Sequence, residues 1–117
     1  MSKYDLEERT AKFGEDIVKF AKKIPENSIT KPIINQIVKS GASVGANFCE
    51  ADDAESKKDF QHKLGICKKE ARETKHWLRM TVVVAPDMKE KARKLWTEAK
   101  KLNLIFNSIV NKLKEKR

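Results

Sequence analysis

Turn-forming residues are scarce in this chain, with four glycines and three prolines in 117 residues. Their scarcity leaves no Pro/Gly-rich linker or low-complexity tract and argues against disorder. Thiols are equally few. Cys49 and Cys67 are not in C-x-x-C spacing, and no charged-apolar-small leader pattern precedes the first helical segment, so the expected compartment is a reducing cytoplasm. Long apolar runs are missing too. The longest, Val82-Val83-Val84-Ala85, falls far short of the ~20 residues that span a bilayer. The length itself is limiting: it suits one domain with one core, but not a hydrolase sheet covered by helices on both faces.

Acidic residues are outnumbered, 17 against 26 Lys and Arg, for a net charge of +9. Residues 1–29 carry six of each sign and residues 30–58 four of each, whereas residues 59–86 carry six basic and three acidic and residues 87–117 ten basic and four acidic. The cationic character therefore belongs to the second half, and it suggests a polyanionic partner.

Apolar or small residues recur at alternating steps of four and three, the period of a helix that lays one stripe on a bundle core. The first stripe is Leu6, Thr10, Phe13, Ile17, Phe20, Ile24, and Pro25 stops it. A second helix is expected from Ser28 or Thr30, either one a candidate cap, with stripe Ile34, Val38, Gly41, Gly45, Phe48, ending near Asp52. Ser56 with Asp59 opens a third, with stripe Phe60, Leu64, Cys67, Ala71, Thr74, Leu78, Thr81, closed by Ala85-Pro86-Asp87. The fourth stripe is Met88, Ala92, Leu95, Ala99, Leu102, Phe106, Ile109, Leu113, and Lys112, Lys114, Lys116 and Arg117 close the chain. These elements predict an all-α, antiparallel up-down-up-down four-helix bundle in a single domain spanning residues 1–117, about 30–40 Å long.

Gly41-Ala42-Ser43-Val44-Gly45 fits G-x-S-x-G, the pattern around the nucleophile of α/β-hydrolases. That elbow requires a strand before the serine and a helix after it. Here both flanks read as one helix, so the chain is not expected to be an enzyme. Ser40, Gly41, Ser43 and Gly45 instead strip bulk from two helical turns. Glycine inside a helix costs about 1 kcal/mol relative to alanine, so a close neighbour is expected, with Trp77, Trp96, Phe60 or Phe106 as candidates to fill the space.

The run Ser40-Gly41-Ala42-Ser43-Val44-Gly45-Ala46-Asn47, then Glu50-Ala51, Lys58-Asp59-Phe60, Leu64-Gly65-Ile66, Glu70-Ala71-x-Glu73-Thr74 and Trp77-Leu78, resembles the four-helix bundle proteins encoded in intervening sequences of bacterial 23S ribosomal RNA genes. Those are similar to the accessory variability determinants of diversity-generating retroelements. Val44 replaces a more frequent Ile, and Ala51-Asp52-Asp53 replaces a common Glu-Gly pair. The resemblance implies a homo-oligomer, a pentameric barrel with a basic surface. For the retroelement relatives it implies binding to nucleic acid and to a reverse transcriptase. It carries no catalytic residues.

Lys68, Arg72, Lys75 and Arg79 follow the third stripe by one position and form a basic ridge. Arg93 and Lys100, with Lys89, flank the fourth stripe on one side, and Lys94 and Lys101, with Lys91 and Lys112, on the other. Such cations bind phosphates in a salt-sensitive, largely sequence-independent way. The competing reading is a solvated surface, since 21 of the 26 basic residues are Lys. Ile66, Trp77, Met80 and Val84 lie on the other side of the third stripe, either filling the core or forming a subunit interface. Asn47 and Glu50 belong with the small-residue helix, where Lys68 or Arg72 is a candidate partner for Glu50. Di-iron bundles need Glu-x-x-His on two helices, and Glu73-Thr74-Lys75-His76 is the sole match, so neither metal nor other cofactor is expected. The expected function is thus binding of RNA or DNA. The alternative is a protein-binding scaffold, with a reverse transcriptase as the partner the resemblance suggests.

Overall fold

The computed structural model describes residues 2–115, except for the side chains of Lys3 and Tyr4. Lys116 and Arg117, expected to close the last helix, lie outside the described residues. Four helices are present: α1 (Lys3–Lys22), α2 (Thr30–Asp52), α3 (Lys57–Val84) and α4 (Lys89–Glu115), with one 3₁₀ turn, Pro86–Met88, between the last two. They form an up-down-up-down bundle 49 × 21 × 20 Å in extent. Antiparallel neighbours follow from paired contacts: Gly14 meets Gly41 while Thr10 meets Gly45, and Ser40 meets Thr74 while Val44 meets Cys67. The α1–α2, α2–α3 and α3–α4 seams are extensive, and the α1–α4 seam is short.

Helix ends follow local chemistry. Ser2 and Asp5 form a capping box, the Asp5 N–H donating to Ser2 Oγ and the Ser2 N–H to Asp5 Oδ2, both at 3.2 Å. At α2 neither Ser28 nor Thr30 supplies the cap. Asn27 Oδ1 accepts from the N–H groups of both Ile29 and Thr30 at 2.9 Å, and the Thr30 hydroxyl turns back to donate to Pro25 O at 2.6 Å. Thr30 is thus used to fold the connecting turn, which leaves the freed donors to the neighbouring amide. Ser56 caps α3 as expected, accepting from the Asp59 N–H at 3.0 Å. No described residue has a positive φ, so the turns need no glycine, and all four glycines lie inside helices.

The core stripes of α1, α3 and α4 are those expected, from Leu6 to Ile24, Leu64 to Thr81 and Met88 to Phe106, with Phe60, Leu95, Ile109 and Leu113 half-buried. On α2 Gly41 and Phe48 are buried as expected, but the rest of the stripe is rotated. Ile37 and Val44 are completely buried, while Ile34, Val38 and Gly45 are only half-buried. The reason is that α2 serves two neighbours: Ser40 and Val44 face α3, and Gly41 and Gly45 face α1. Phe48 of α2 and Phe106 of α4 stack across the centre, with ring centroids 6.4 Å apart. No helix of the described residues is long and apolar enough to cross a membrane.

Candidate nucleic-acid interface

Ser43 sits in the middle of α2, and its hydroxyl donates to Lys39 O at 2.7 Å. The G-x-S-x-G match is therefore a helical packing run. No aromatic ring fills its space. A Cβ on Gly41 would lie 2.6 Å from Ile17 Cγ2, and one on Gly45 would lie 3.2 Å from Thr10 O, so what approaches is α1 itself. Asn47 Nδ2 donates to Ser43 O at 2.8 Å. Glu50 pairs with neither Lys68 nor Arg72; Lys63 Nζ reaches its Oε1 at 3.3 Å, because antiparallel α3 brings its first turns, not its middle, beside the end of α2.

The α4-facing edge of α3 is purely cationic, whereas its other flank is mixed. Toward α2 lie Glu70, beside Ser43, and Lys63, paired with Glu50, with the exposed Glu73 next to Glu70. Burial of Glu70 and the neighbouring Glu73 carboxylate raise its carboxyl above the usual value, opposed by the nearby Ser43 hydroxyl and the Lys69 ammonium. Toward α4 runs the ridge of Lys68, Arg72, Lys75 and Arg79, with both arginines exposed and both lysines half-buried.

The ridge converges with one flank of α4 around Trp96. Lys75 Nζ lies 4.8 Å from the centroid of the Trp96 ring and Lys100 Nζ 5.8 Å from it, a cation–π arrangement. Beside the ring, an open groove of about 640 Å³ between α3 and α4 is floored by Leu78, Val82 and Ala92 and rimmed by Arg79, Lys89 and Arg93. Five of the expected basic residues are thereby brought near one another: Lys75, Arg79, Lys89, Arg93 and Lys100. Lys68 and Arg72 extend the same edge along α3.

Lys94 lies elsewhere. With Lys91 it faces α1, lining a smaller depression with Asp16, Lys19 and Lys23. Crowding of like charge there, chiefly contact with Lys23, lowers the Lys91 ammonium below its ordinary value. Lys101, two turns beyond Lys94, continues that flank.

Trp96, by composition a candidate filler of the small-residue run, instead stands at the α3–α4 seam. It is 38% exposed. The signal was its spacing, three residues after Arg93 and four before Lys100, which puts an aromatic between the two cations of one flank.

Ile66, Trp77, Met80 and Val84 are all half-buried along the edge of α3 that carries Glu70. Trp77 packs on the core, and the exposed His76 ring lies edge-to-face with it, ring centroids 4.9 Å apart. The most exposed large apolar side chains are instead Val83, Ile29 and Leu104. Cys67 donates to Val44 O at 3.5 Å, and burial pushes its thiol up to about 12. Cys49 is exposed, its thiol raised by partial burial and by Glu7. No group of three or more His, Cys, Asp or Glu side chains among the described residues is arranged to hold a metal ion.

A family model described as 23S rRNA-intervening sequence protein matches residues 2–114. Among solved structures, the chain is similar to a protein of unknown function from the S23 ribosomal protein family of Bacteroides thetaiotaomicron. The two are 30% identical over 95% of this chain and 99% of that one, with a TM-score of 0.86. No curated protein matches the chain.

Proposed function

This chain belongs to the 23S rRNA-intervening sequence protein family, and on that premise we propose that it is a non-enzymatic protein whose α3–α4 face binds RNA or DNA. The observation that carries this reading is the convergence of cations at the α3–α4 seam, where Lys75 and Arg79 meet Arg93 and Lys100 around an exposed indole and no carboxylate lines the groove. A merely solvated lysine surface would not gather cations from two helices about one aromatic ring. Phosphate neutralisation along the ridge supplies affinity without base readout. The reading includes a homo-oligomer, a pentamer by family resemblance; light scattering at micromolar concentration should give several times the 13.5 kDa chain mass, and a monomer there would remove it. It also includes a role as a retroelement accessory that docks a reverse transcriptase.

Replacing Arg72 and Arg79 together with Gln tests the binding surface. Affinity for random duplexes and strands should fall, and the slope of log K against log salt should flatten by roughly 0.7–0.9 per lost phosphate contact. Removing the exposed Lys12 and Lys39 of α1 and α2 changes net charge equally and should do much less. Equal losses in both variants would reduce the effect to net charge. Tight binding to a reverse transcriptase with none to nucleic acid would favour the scaffold alternative.

A further inference from the structure

The groove beside Trp96 has a composition that the phosphate ridge alone does not require. A surface that only tracks phosphates needs cations, yet this one joins cations to an apolar floor and an aromatic wall. Leu78 and Val82 form the floor, Trp96 stands at 38% exposure, and Arg79, Lys89 and Arg93 form the rim. No carboxylate lines it. The complementary ligand is therefore an anion with a flat, apolar body and negative charge at its margin. A duplex presents phosphates but keeps its base faces stacked. A single strand offers both, since each base has a free π-face and each link a phosphate.

We infer that the α3–α4 groove is a single-strand site in which one unpaired base lies against the Trp96 indole while the flanking phosphates meet Arg79, Lys89 and Arg93. This rests on the nucleic-acid reading and narrows it to single strands at this place. Lys75 and Lys100, whose ammonium groups lie over the Trp96 ring at 4.8 and 5.8 Å in the free protein, swing off the indole face to neighbouring phosphates when the base stacks there. The long ridge through Lys68 and Arg72 then follows the backbone away from the anchored base.

The test uses the full-length protein and three fluorescent probes of equal length, roughly 12 nucleotides, within the range of known single-strand sites. They are an oligoadenylate strand, an abasic strand of the same charge and a duplex. Oligoadenylate should bind best and quench tryptophan fluorescence. Trp96→Leu, which keeps an apolar side chain at a partly exposed position, should weaken oligoadenylate binding about tenfold, abolish most of the quenching and leave the duplex and abasic affinities unchanged. Trp96→Phe should retain most of the binding. A circular-dichroism melt of each variant checks that the bundle is intact. Equal affinity for oligoadenylate and the abasic strand, or an unaltered Trp96→Leu variant, overturns the base site; salt-dependent duplex binding that persists leaves the wider reading standing. No binding to any probe overturns both. If Trp96→Leu instead lowers the oligomer mass and leaves binding untouched, the groove is an interface between copies and the base site is overturned.

Discussion

Arg9 of α1 and Glu98 of α4, 89 residues apart, are joined by two parallel hydrogen bonds, Nε to Oε2 at 2.8 Å and Nη2 to Oε1 at 2.9 Å. Hydrogen bonding to Glu98 raises the Arg9 guanidinium above its ordinary value despite partial burial. The pair lies on the seam where helix-to-helix contact is shortest, so it fixes how α1 meets α4. A double-mutant cycle with Arg9→Gln and Glu98→Gln, read by urea unfolding, should give a coupling on the order of 1 kcal/mol, because the geometry is bidentate and the side chains are each 30% exposed. The coupling should shrink in high salt. A value near zero would make the pair incidental to the fold.

Three glycine positions separate packing from propensity. Gly41→Ala puts a methyl group 2.6 Å from the branched, fully buried Ile17 and should cost about 1–3 kcal/mol. Gly65→Ala meets nothing within 4 Å and should stabilise the exposed mid-helix position by about 1 kcal/mol. Ser43→Ala removes a half-buried hydroxyl bonded to a carbonyl of its own helix, Lys39 O, and should change stability by no more than about 0.5 kcal/mol. Gly45→Leu, against the α1 backbone, should destabilise as Gly41→Ala does. Thermal melts give the order, and a stable Gly41→Ala would refute the close α1–α2 approach.

The two thiols should behave differently. Cys67 is completely buried and its thiol lies near 12, so almost no thiolate forms at mildly alkaline pH. A chromogenic disulfide reagent should titrate one thiol, Cys49, in the native protein and both in guanidinium. Rapid labelling of two thiols without denaturant would mean that the α2–α3 seam opens.

Burial of Glu70 beside the Glu73 carboxylate sets the direction of its pH dependence. Its folded carboxyl holds a proton more tightly than its ordinary value of 4.5, so the folded state carries the excess proton in the interval above that value. Stability associated with this group is present below 4.5 and is lost as pH rises through the folded value. Glu70→Gln should thus raise the melting temperature at neutral pH relative to the wild type and lose that advantage in acid. A variant with the same deficit or gain at both pH values would remove Glu70 as the source.

Periodicity and local chemistry alone determine much of this protein. The apolar steps of four and three mark out four helices, Pro25 and Pro86 separate them, and Ser56 caps α3, because each depends on residues within a turn or two. The rotation of α2 depends on more. Its sequence offers Ile34, Val38 and Gly45 as readily as Ile37 and Val44, and only the simultaneous presence of α1 against the glycines and α3 against Ser40 selects the latter. The partner of Glu50 follows the same logic, since the antiparallel register brings Lys63 within reach and carries Lys68 and Arg72 past. The basic ridge is visible as spacing. That Lys75 and Lys100 meet over Trp96 while Lys94 faces α1 was decided by how α3 and α4 are phased about their shared seam, a relation between residues far apart in the chain that no local period encodes.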